Sequence, residues 1–346
     1  MIPALLSLKY LKNENPNSVF GNPPNLKLRP INVFRDFKMK VFLKFIAVLM
    51  PMMILTVGCT KPDNPNGNEI PPEGALPHAF SVSPTKKVYF SKGNLQYRAS
   101  TNTWRFAENQ WDTIGSANVN RSATYDGWID LFYYGTSGFG NKTPYSYYIN
   151  SYEYSHYNGS YYDLFYSNYE LPNSDISGTK YDWGKYNSIK NGENKTGVWR
   201  TLTADEWKYL LFGRAFLSTP FNVGTLELPD HTGMIGAFIF PDDCYWYSFT
   251  VNDATITMTM EELEYSGAVF LPFVGEIHAG CGANGMYVRY DNHYVGRACL
   301  YWTGSRASSD NYACCLQFNH ESYWSPSSYG QATWNAGGVR LVCDCN

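Results

Sequence analysis

Charged residues are scarce in this 346-residue chain: Asp, Glu, Lys and Arg make up 16%, whereas aromatic residues reach 17%. A disordered chain shows the opposite balance, so the composition excludes one. The mean hydropathy of -0.35 excludes a polytopic membrane protein. Basic residues are scarce after residue 58, where the chain has 19 Lys and Arg but 28 Asp and Glu. Because phosphate contacts need a basic patch, this acidic excess argues against nucleic acid as a partner.

Several catalytic and metal-binding motifs are also missing. The chain has no Cys-x-x-Cys pair, no His-Glu-x-x-His, no Gly-x-Ser-x-Gly elbow and no glycine-rich phosphate loop. These absences argue against a structural zinc site, a zinc protease, an elbow-type serine hydrolase and a nucleotide-binding loop. Asp126 and Asp130 flank Trp128 as a conceivable acid–base pair, but a solvated turn is the favoured interpretation. We therefore expect no catalytic residues, no metal and no cofactor.

The first 58 residues differ from the rest in charge, with eight Lys and Arg against two acidic residues. A basic stretch begins at Met39, and residues 45–58 form an apolar run of 14 residues. The run is shorter than the ~20 residues that a membrane helix needs, and it has the length of a signal-peptide core. We therefore predict a signal peptide at 39–58. We interpret residues 1–38 as lying upstream of the true translation start, which we place at Met39.

Residues 55–59, Leu-Thr-Val-Gly-Cys, resemble a bacterial lipobox, in which the Cys becomes the lipidated first residue of the mature chain. The resemblance implies lipidation at Cys59; an ordinary signal peptide that ends near a Cys is the alternative. Residues 59–80, rich in Pro, Asn and Gly, are predicted to be a flexible tether, and residues 81–346 a folded domain. We expect a cell-envelope protein of the outer membrane, in either leaflet, that touches the membrane through its lipid anchor alone.

The domain sequence predicts short strands joined by turns. Residues 87–90, 95–97 and 103–106 are strand-like, and turn residues between the last two predict a hairpin. A tract rich in Tyr, Ser and Asn at 144–170 lacks a helical period, which favours a long surface insertion or irregular strands.

Two short helices are predicted from their starting signals. Thr203 and Glu206 have the spacing of a capping box, and Thr259 with Glu262 repeats it. Gly267 is expected to end the second helix. A buried stripe at helical spacing is predicted for Trp207, Leu210, Leu211 and Arg214. Few helices among many short strands indicate an α+β fold.

Residues 199–210, Trp-Arg-Thr-Leu-Thr-Ala-Asp-Glu-Trp-Lys-Tyr-Leu, resemble the Trp-Arg-Leu-Pro-Thr-x-x-Glu-Trp-x-Tyr segment of formylglycine-generating-enzyme-like domains. They also resemble the related segment of the Fibrobacter major paralogous domain family. Residues 267–272, 301–305 and 337–342 are similar to further segments of these domains, in the same order. Weaker similarity begins at Lys87, in a style common to lipoproteins of gut Bacteroidales. The resemblance implies a C-type-lectin-like fold, with two helices against a twisted, mostly antiparallel sheet that carries long loops.

The resemblance also raises two activities that the residues do not support. Formylglycine-generating enzymes bind copper through two Cys separated by four residues, whereas the corresponding region here offers adjacent Cys314 and Cys315. Calcium-dependent lectins carry Trp-Asn-Asp in the last strand, whereas residues 334–336 are Trp-Asn-Ala. The sequence does not fix the pairing of the seven cysteines after residue 240, and Cys343 with Cys345 form a terminal disulfide or stay as thiols. We therefore expect a domain that is not an enzyme.

The interval from Ser308 to Asn335 is the candidate ligand-binding region, since half of its residues are Ser, Asn, Tyr, Asp or His. In C-type-lectin-like proteins diversified by retroelements, the same interval holds the variable, ligand-facing positions, and mutagenesis of Asn codons there yields mainly these residues. Tyr and Trp supply contact area at small entropic cost, and Ser and Asn supply adaptable hydrogen bonds. The matching positions are Ser308, Ser309, Asp310, Asn311, Tyr312, Asn319, His320, Ser322, Tyr323, Trp324, Ser327, Ser328 and Tyr329.

The competing interpretation of this interval is a solvent-exposed loop without a specific ligand, because the whole chain is rich in Tyr, Ser and Asn. Core positions are predicted for Trp302, Leu316, Phe318 and Trp334, and Arg340 is expected to form a structural ion pair. The functional expectation is a non-catalytic envelope lipoprotein that binds a protein or glycan and is a target of a diversity-generating retroelement. The alternatives are a formylglycine-generating-type oxidase or related enzyme, and a structural, fimbria-associated envelope subunit.

Overall fold

The computed structural model describes most of the predicted domain. The described residues are 70–146, 171–214, 223–228, 234–242, 255–257, 259–282, 285–291, 298–309, 311–319, 322–324 and 330–345. The predicted start segment, signal peptide and lipidated Cys59 lie outside them, as does most of the tract at 144–170. Residues 64–346 form one compact unit. Within the described ranges, no helix has the length and apolar character needed to cross a membrane.

The strands are short and mostly antiparallel. In chain order they are β1 (Ala75–Ser81), β2 (Lys87–Ser91), β3 (Leu95–Arg98), β4 (Thr103–Phe106), β5 (Leu131–Phe132), β6 (Val223–Leu228), β7 (Met234–Ile239), β8 (Thr255–Thr257), β9 (Val269–Pro272), β10 (Glu276–Gly282), β11 (Gly285–Asp291), β12 (Ala298–Arg306), β13 (Tyr312–Asn319), β14 (Ser322–Trp324), β15 (Gln331–Ala332), β16 (Asn335–Gly338) and β17 (Val342–Asp344). Few helices accompany them, so the architecture is mixed α and β, compatible with the predicted α+β class.

Four sheets organise these strands. The largest has the order β11-β10-β16-β12-β13-β14, with β15 also on β13 and β5 on β16. A second sheet has the order β1-β2-β17, a third β8-β6-β7-β9, and β3 with β4 forms the predicted hairpin. The pairs β12–β16 and β6–β8 are parallel.

The two predicted helices begin where their capping boxes indicate, and a further short helix precedes them. Helix α1 is Trp183–Tyr186, α2 is Ala204–Lys208 and α3 is Met260–Ser266. Both predicted capping boxes are confirmed, because each Thr accepts from the backbone of its Glu and each Glu accepts from the backbone of its Thr. Gly267 ends α3 with a φ of 68°, which a glycine adopts without strain. A π-helical turn, Tyr209–Gly213, continues α2, and the predicted stripe is buried as far as Arg214.

Strands β12 and β13 lie between two buried clusters. Tyr301 and Leu316, which face each other across the pair, belong to one cluster with the α2 stripe. Trp302 and Cys315, the next pair, belong to a second and more aromatic cluster. Because successive side chains on a strand point to opposite faces, both faces of this pair are buried. The core positions predicted for Trp302 and Leu316 are confirmed; the side chain of Phe318 lies outside the described part.

Two boundaries differ from the sequence prediction. Residues 75–80, assigned to the tether, belong to β1, which pairs with β2 through Phe80 and Val88. The apolar side chains of this segment supply the reason, since Phe80 is fully buried. The predicted closing strand at 337–342 is divided, because β16 ends at Gly338 and β17 begins at Val342. The chain crosses there from the largest sheet to the β1-β2-β17 sheet.

Candidate functional site

The β12–β13 turn carries the described part of the predicted ligand-binding region. The amide of Ala307 donates to the carbonyl of Tyr312 at 3.1 Å, and the amide of Tyr312 donates to the carbonyl of Ser309 at 3.3 Å. Asn311 has a φ of 61°, in the left-handed region that Asn tolerates better than most residues. Its carbonyl accepts from the amide of Thr333 at 2.9 Å, which ties the turn to the segment before β16. We call residues 307–309, 311–312 and 330–334 the hairpin tip.

The hairpin tip combines exposed polar side chains with two aromatic rings. Ser308, Ser309 and Asn311 are exposed. Tyr312 and Trp334 are half-buried, and their ring centroids lie 5.9 Å apart in an edge-to-face arrangement. The prediction of a core position for Trp334 is therefore wrong, because its ring stays partly accessible beside Tyr312. Rings that are fixed and still partly accessible are suited to contact a ligand, since little entropy is lost on binding.

Hydrogen bonds from a neighbouring segment support the hairpin tip. The amides of Ile176 and Ser177 donate to the carbonyl of Gly304 at 2.8 and 3.2 Å. The approach is close, because a Cβ on Gly304 would lie 2.5 Å from the Cβ of Ser177. The amide of Arg306 donates to Asp175 Oδ1 at 2.7 Å, and its guanidinium donates to Asn173. One chain segment, residues 173–177, therefore holds the end of β12 in place.

A second group of predicted residues lies at the other end of β13. Asn319 ends β13, and β14, which holds Ser322, Tyr323 and Trp324, follows after the turn. From Tyr312 to Asn319, the strand spans about 24 Å at ~3.4 Å per residue. The predicted residues therefore form two groups at opposite ends of one strand. The backbone alone is described at this second end, and Asp310, His320, Ser327, Ser328 and Tyr329 lie outside the described residues.

The cysteines of β13 do not fit a copper site. Cys314 and Cys315 are adjacent on a strand, so their side chains point to opposite faces. Burial raises the pKa of both thiols, most strongly that of Cys315. A thiol binds metal as the thiolate, which a raised pKa disfavours. In the part of the chain that the structure covers, no group of three or more His, Cys, Asp or Glu could hold a metal ion.

The two C-terminal cysteines do not form the terminal disulfide that the sequence left open. Cys343 is a free, buried thiol whose Sγ lies 3.8 Å from the carbonyl oxygen of Tyr89. Burial raises its pKa to about 12. Cys345, one residue past the end of β17, is half-buried. The buried Cys343 lacks the accessible surroundings of an activated thiol.

Arg340 is not the ion-pair partner that the sequence predicted. Its side chain is 1% exposed, and its guanidinium donates to Gln110 Oε1 at 2.8 Å and Asn94 Oδ1 at 3.3 Å. No carboxylate among the described residues pairs with it, and burial lowers its pKa to about 10. Neutral amides bind two of its nitrogens, and the Gln110 amide is itself held by the backbone of Ala268 and Phe270. The Nε of Arg340 has no hydrogen-bond partner among the described residues. Arg340 therefore joins chain segments inside the fold and does not face a ligand.

The two carboxylates around Trp128 are not a catalytic pair. Asp126 is exposed and accepts from the hydroxyl of Ser100 at 2.7 Å. Asp130 is buried. Its carboxylate accepts from the side-chain amide of Asn118 at 2.7 Å and from the backbone amide of Ile114 at 3.0 Å. Burial raises the pKa of Asp130 to about 6. The predicted solvated turn is correct for Asp126 and wrong for Asp130, whose carboxylate organises the 3-10 turn at Gly115–Val119.

Comparison with protein families, curated proteins and solved structures finds no match to this chain. The site is therefore defined by its own geometry. The sequence pointed to Ser308, Ser309, Asn311 and Tyr312, and the structure adds Trp334 beside them. The signal for Trp334 was present, because this Trp lies within the polar interval between 308 and 335.

Proposed function

We propose that this protein is a non-catalytic binding protein of the cell envelope, anchored through lipidated Cys59, whose C-terminal loops bind a protein or glycan. The observation that carries the proposal is the hairpin tip. There, two partly accessible rings, Tyr312 and Trp334, lie beside the exposed side chains of Ser308, Ser309 and Asn311 on a strand pair buried on both faces. Such a surface offers aromatic contact and adaptable hydrogen bonds at small entropic cost.

The fold and the origin of the binding surface belong to the same proposal. The motifs at 199–210 and 301–305 resemble C-type-lectin-like domains, and the capping box and the buried Trp302 give these motifs a physical role. In this interpretation the interval from Ser308 to Asn335 is diversified by a retroelement. A near-copy of its codons next to a reverse-transcriptase gene, with substitutions confined to adenines, would support diversification. A genome without such a copy would contradict it.

Binding is favoured over oxidase chemistry by the state of the thiols. A copper oxidase needs two accessible thiolates directed at one metal, whereas Cys314 and Cys315 are buried, face opposite ways and have raised pKa values. Copper titration with a thiol-oxidation assay tests this alternative directly. An activity that is lost on Cys314→Ser or Cys315→Ser would replace the binding proposal.

The binding test uses the full-length lipidated chain in detergent, on an array of oligosaccharides and purified cell-surface proteins. Tyr312→Ala should weaken the strongest interaction at least about tenfold, the loss expected for a central aromatic contact. Because Tyr312 is half-buried, Ser309→Trp provides a second variant, which blocks the surface without removing a packed ring. Tyr265→Ala is the matched control, since Tyr265 is 79% exposed on α3. Unchanged binding by both tip variants would rule out the hairpin tip.

A further inference from the structure

The outer face of the β3–β4 hairpin carries two arginines next to each other. Leu95, Tyr97, Trp104 and Phe106 point to the core, so the alternate residues point the other way. Gln96 is paired with Arg105 and Arg98 with Thr103. Arg98 and Arg105 are therefore diagonal neighbours on one face of a two-stranded sheet, close enough for long side chains to meet.

Both guanidinium groups lie over the same indole ring. The guanidinium carbon of Arg98 is 4.5 Å from the ring centroid of Trp128, and that of Arg105 is 3.9 Å from it. The separation of the two guanidinium carbons is therefore at most the sum of these two distances. Each is attracted to the ring, but they repel each other, and the pKa of Arg105 is lowered by burial and by Arg98.

Neither arginine forms an ion pair with any residue that the structure covers, and the carboxylates of Glu108, Asp112 and Asp126 are engaged elsewhere. Glu108 contacts Lys92 at 2.6 Å, and Asp126 accepts from Ser100 at 2.7 Å. Asp112, the third acid, accepts from the amide of Asn109 at 2.9 Å. Glu108 and Asp112 favour the charge of Arg105 only from a distance.

The hydrogen-bonding capacity of the arginines is only partly used. Arg105 Nε donates to Gln96 Oε1 at 2.9 Å. Arg98 Nε is buried and finds no hydrogen-bond partner within the described residues. An unpartnered donor beside a second cation is a costly arrangement that an anion would relieve.

We propose that Arg98, Arg105 and Trp128 form a second binding site, separate from the hairpin tip, that takes one oxyanion group of a ligand. A guanidinium binds a carboxylate, sulfate or phosphate through a planar fork of N–H groups, and Trp128 holds both forks in place. Thr101 and Thr103 lie on the same hairpin, and the hydroxyl of Thr103 donates to that of Thr101 at 2.9 Å. Both hydroxyls can accept hydrogen bonds from the hydroxyl groups of a sugar. The acidic excess of the chain after residue 58 disfavours long polyanions and leaves a single anionic group as the fitting ligand.

The test is calorimetric titration of the full-length chain with sodium glucuronate, glucose and sodium sulfate at constant ionic strength. Glucuronate and sulfate should bind and glucose should not. Arg98→Gln and Arg105→Gln should each weaken binding of both anions at least about tenfold, because each removes a charge-assisted hydrogen-bonding group. Lys195→Gln removes the same charge from a side chain that is 73% exposed, and it should leave the affinity unchanged.

The outcomes separate the two sources of the anion. Tighter binding of glucuronate than of sulfate identifies an acidic sugar, whereas equal affinity identifies a free inorganic anion. Absence of binding by both anions, or equal losses in Lys195→Gln and the arginine variants, would overturn the proposal. Unchanged thermal unfolding of Arg105→Gln shows that any loss comes from the site. Because Tyr312→Ala should bind glucuronate normally, failure of this site is distinguishable from failure of the hairpin tip.

Discussion

Replacing Arg200 by Gln tests whether this residue of the 199–210 segment stabilises the fold through its ion pairs. The Arg200 side chain is 7% exposed, and its guanidinium donates to both oxygens of Glu206 at 2.7 and 2.8 Å. It also donates to Asp344 Oδ1 through Nε and Nη2, at 2.9 and 2.6 Å. Glu206 is the capping-box residue of α2, and it accepts from the amide of Thr203. One guanidinium therefore joins the start of α2 to β17.

The expected loss of unfolding free energy follows from burial. Breaking a buried ion pair costs about 3–5 kcal/mol, because the remaining charge is left without a partner. The cost is lower here, since Asp344 is 42% exposed and Glu206 keeps its contact with Lys86 at 3.3 Å. We expect Arg200→Gln to lose about 2–3 kcal/mol in urea unfolding at pH 7, with the m-value unchanged. Lys86→Gln, a change at a 43% exposed side chain, should cost at most ~1 kcal/mol.

The pH dependence of the same variant gives a second readout. Burial pushes the pKa of Glu206 up, but the hydrogen bonds and charge of Arg200 outweigh it and hold the pKa below its usual range. A carboxylate whose pKa is lowered in the folded state stabilises the fold at pH values above its unfolded pKa of about 4.3, and this stabilisation is lost as the pH falls. The deficit of Arg200→Gln should therefore shrink below about pH 4. A loss under ~1 kcal/mol at pH 7, or one equal to that of Lys86→Gln, would refute the assignment.

Three further outcomes are expected. Burial raises the pKa of Asp130 to about 6, so the protonated carboxyl stabilises the fold below about pH 4, and this stabilisation is lost as the pH rises through 6. Asp130→Asn should therefore remove ~3 kcal/mol of this decline from the pH profile of urea unfolding. A profile parallel to that of the wild type would contradict the burial of Asp130. Cys315 and Cys343 should resist iodoacetamide at pH 8 until denaturant is added, as read by peptide mass spectrometry; labelling in the native state would contradict their raised pKa values. Cys59→Ser should abolish palmitate labelling in cells that export the chain, whereas labelling that persists would place the lipid elsewhere.

Local signals in the sequence predicted the elements that depend on few neighbours. A capping box acts within one helical turn, so Thr203 and Thr259 located the starts of α2 and α3. The hairpin of β3 and β4 was predictable in the same way, because its turn lies between two short strand-like runs. The buried stripe from Trp207 to Arg214 was visible at helical spacing, although its second half is a π-helical turn.

Features that depend on distant segments could not be predicted. Asp130 is buried because Asn118 and the amide of Ile114 satisfy it, which its flanking residues do not reveal. Arg340 interrupts the closing strand because it binds Asn94 and Gln110, more than 200 positions earlier in the chain. The division of the predicted ligand-binding residues between the two ends of β13 likewise follows from strand pairing, and composition contains no information about it.

Radical footprinting tests the central claim most directly, because it shows which rings a ligand covers. The full-length chain is exposed to hydroxyl radicals with and without the strongest ligand from the array, and oxidation is read residue by residue. Binding at the hairpin tip predicts slower oxidation of Tyr312 and Trp334. Tyr265 and Tyr186, 79% and 41% exposed on α3 and α1, should keep their rates. Unchanged oxidation of Tyr312 and Trp334 in the saturated complex would contradict the account.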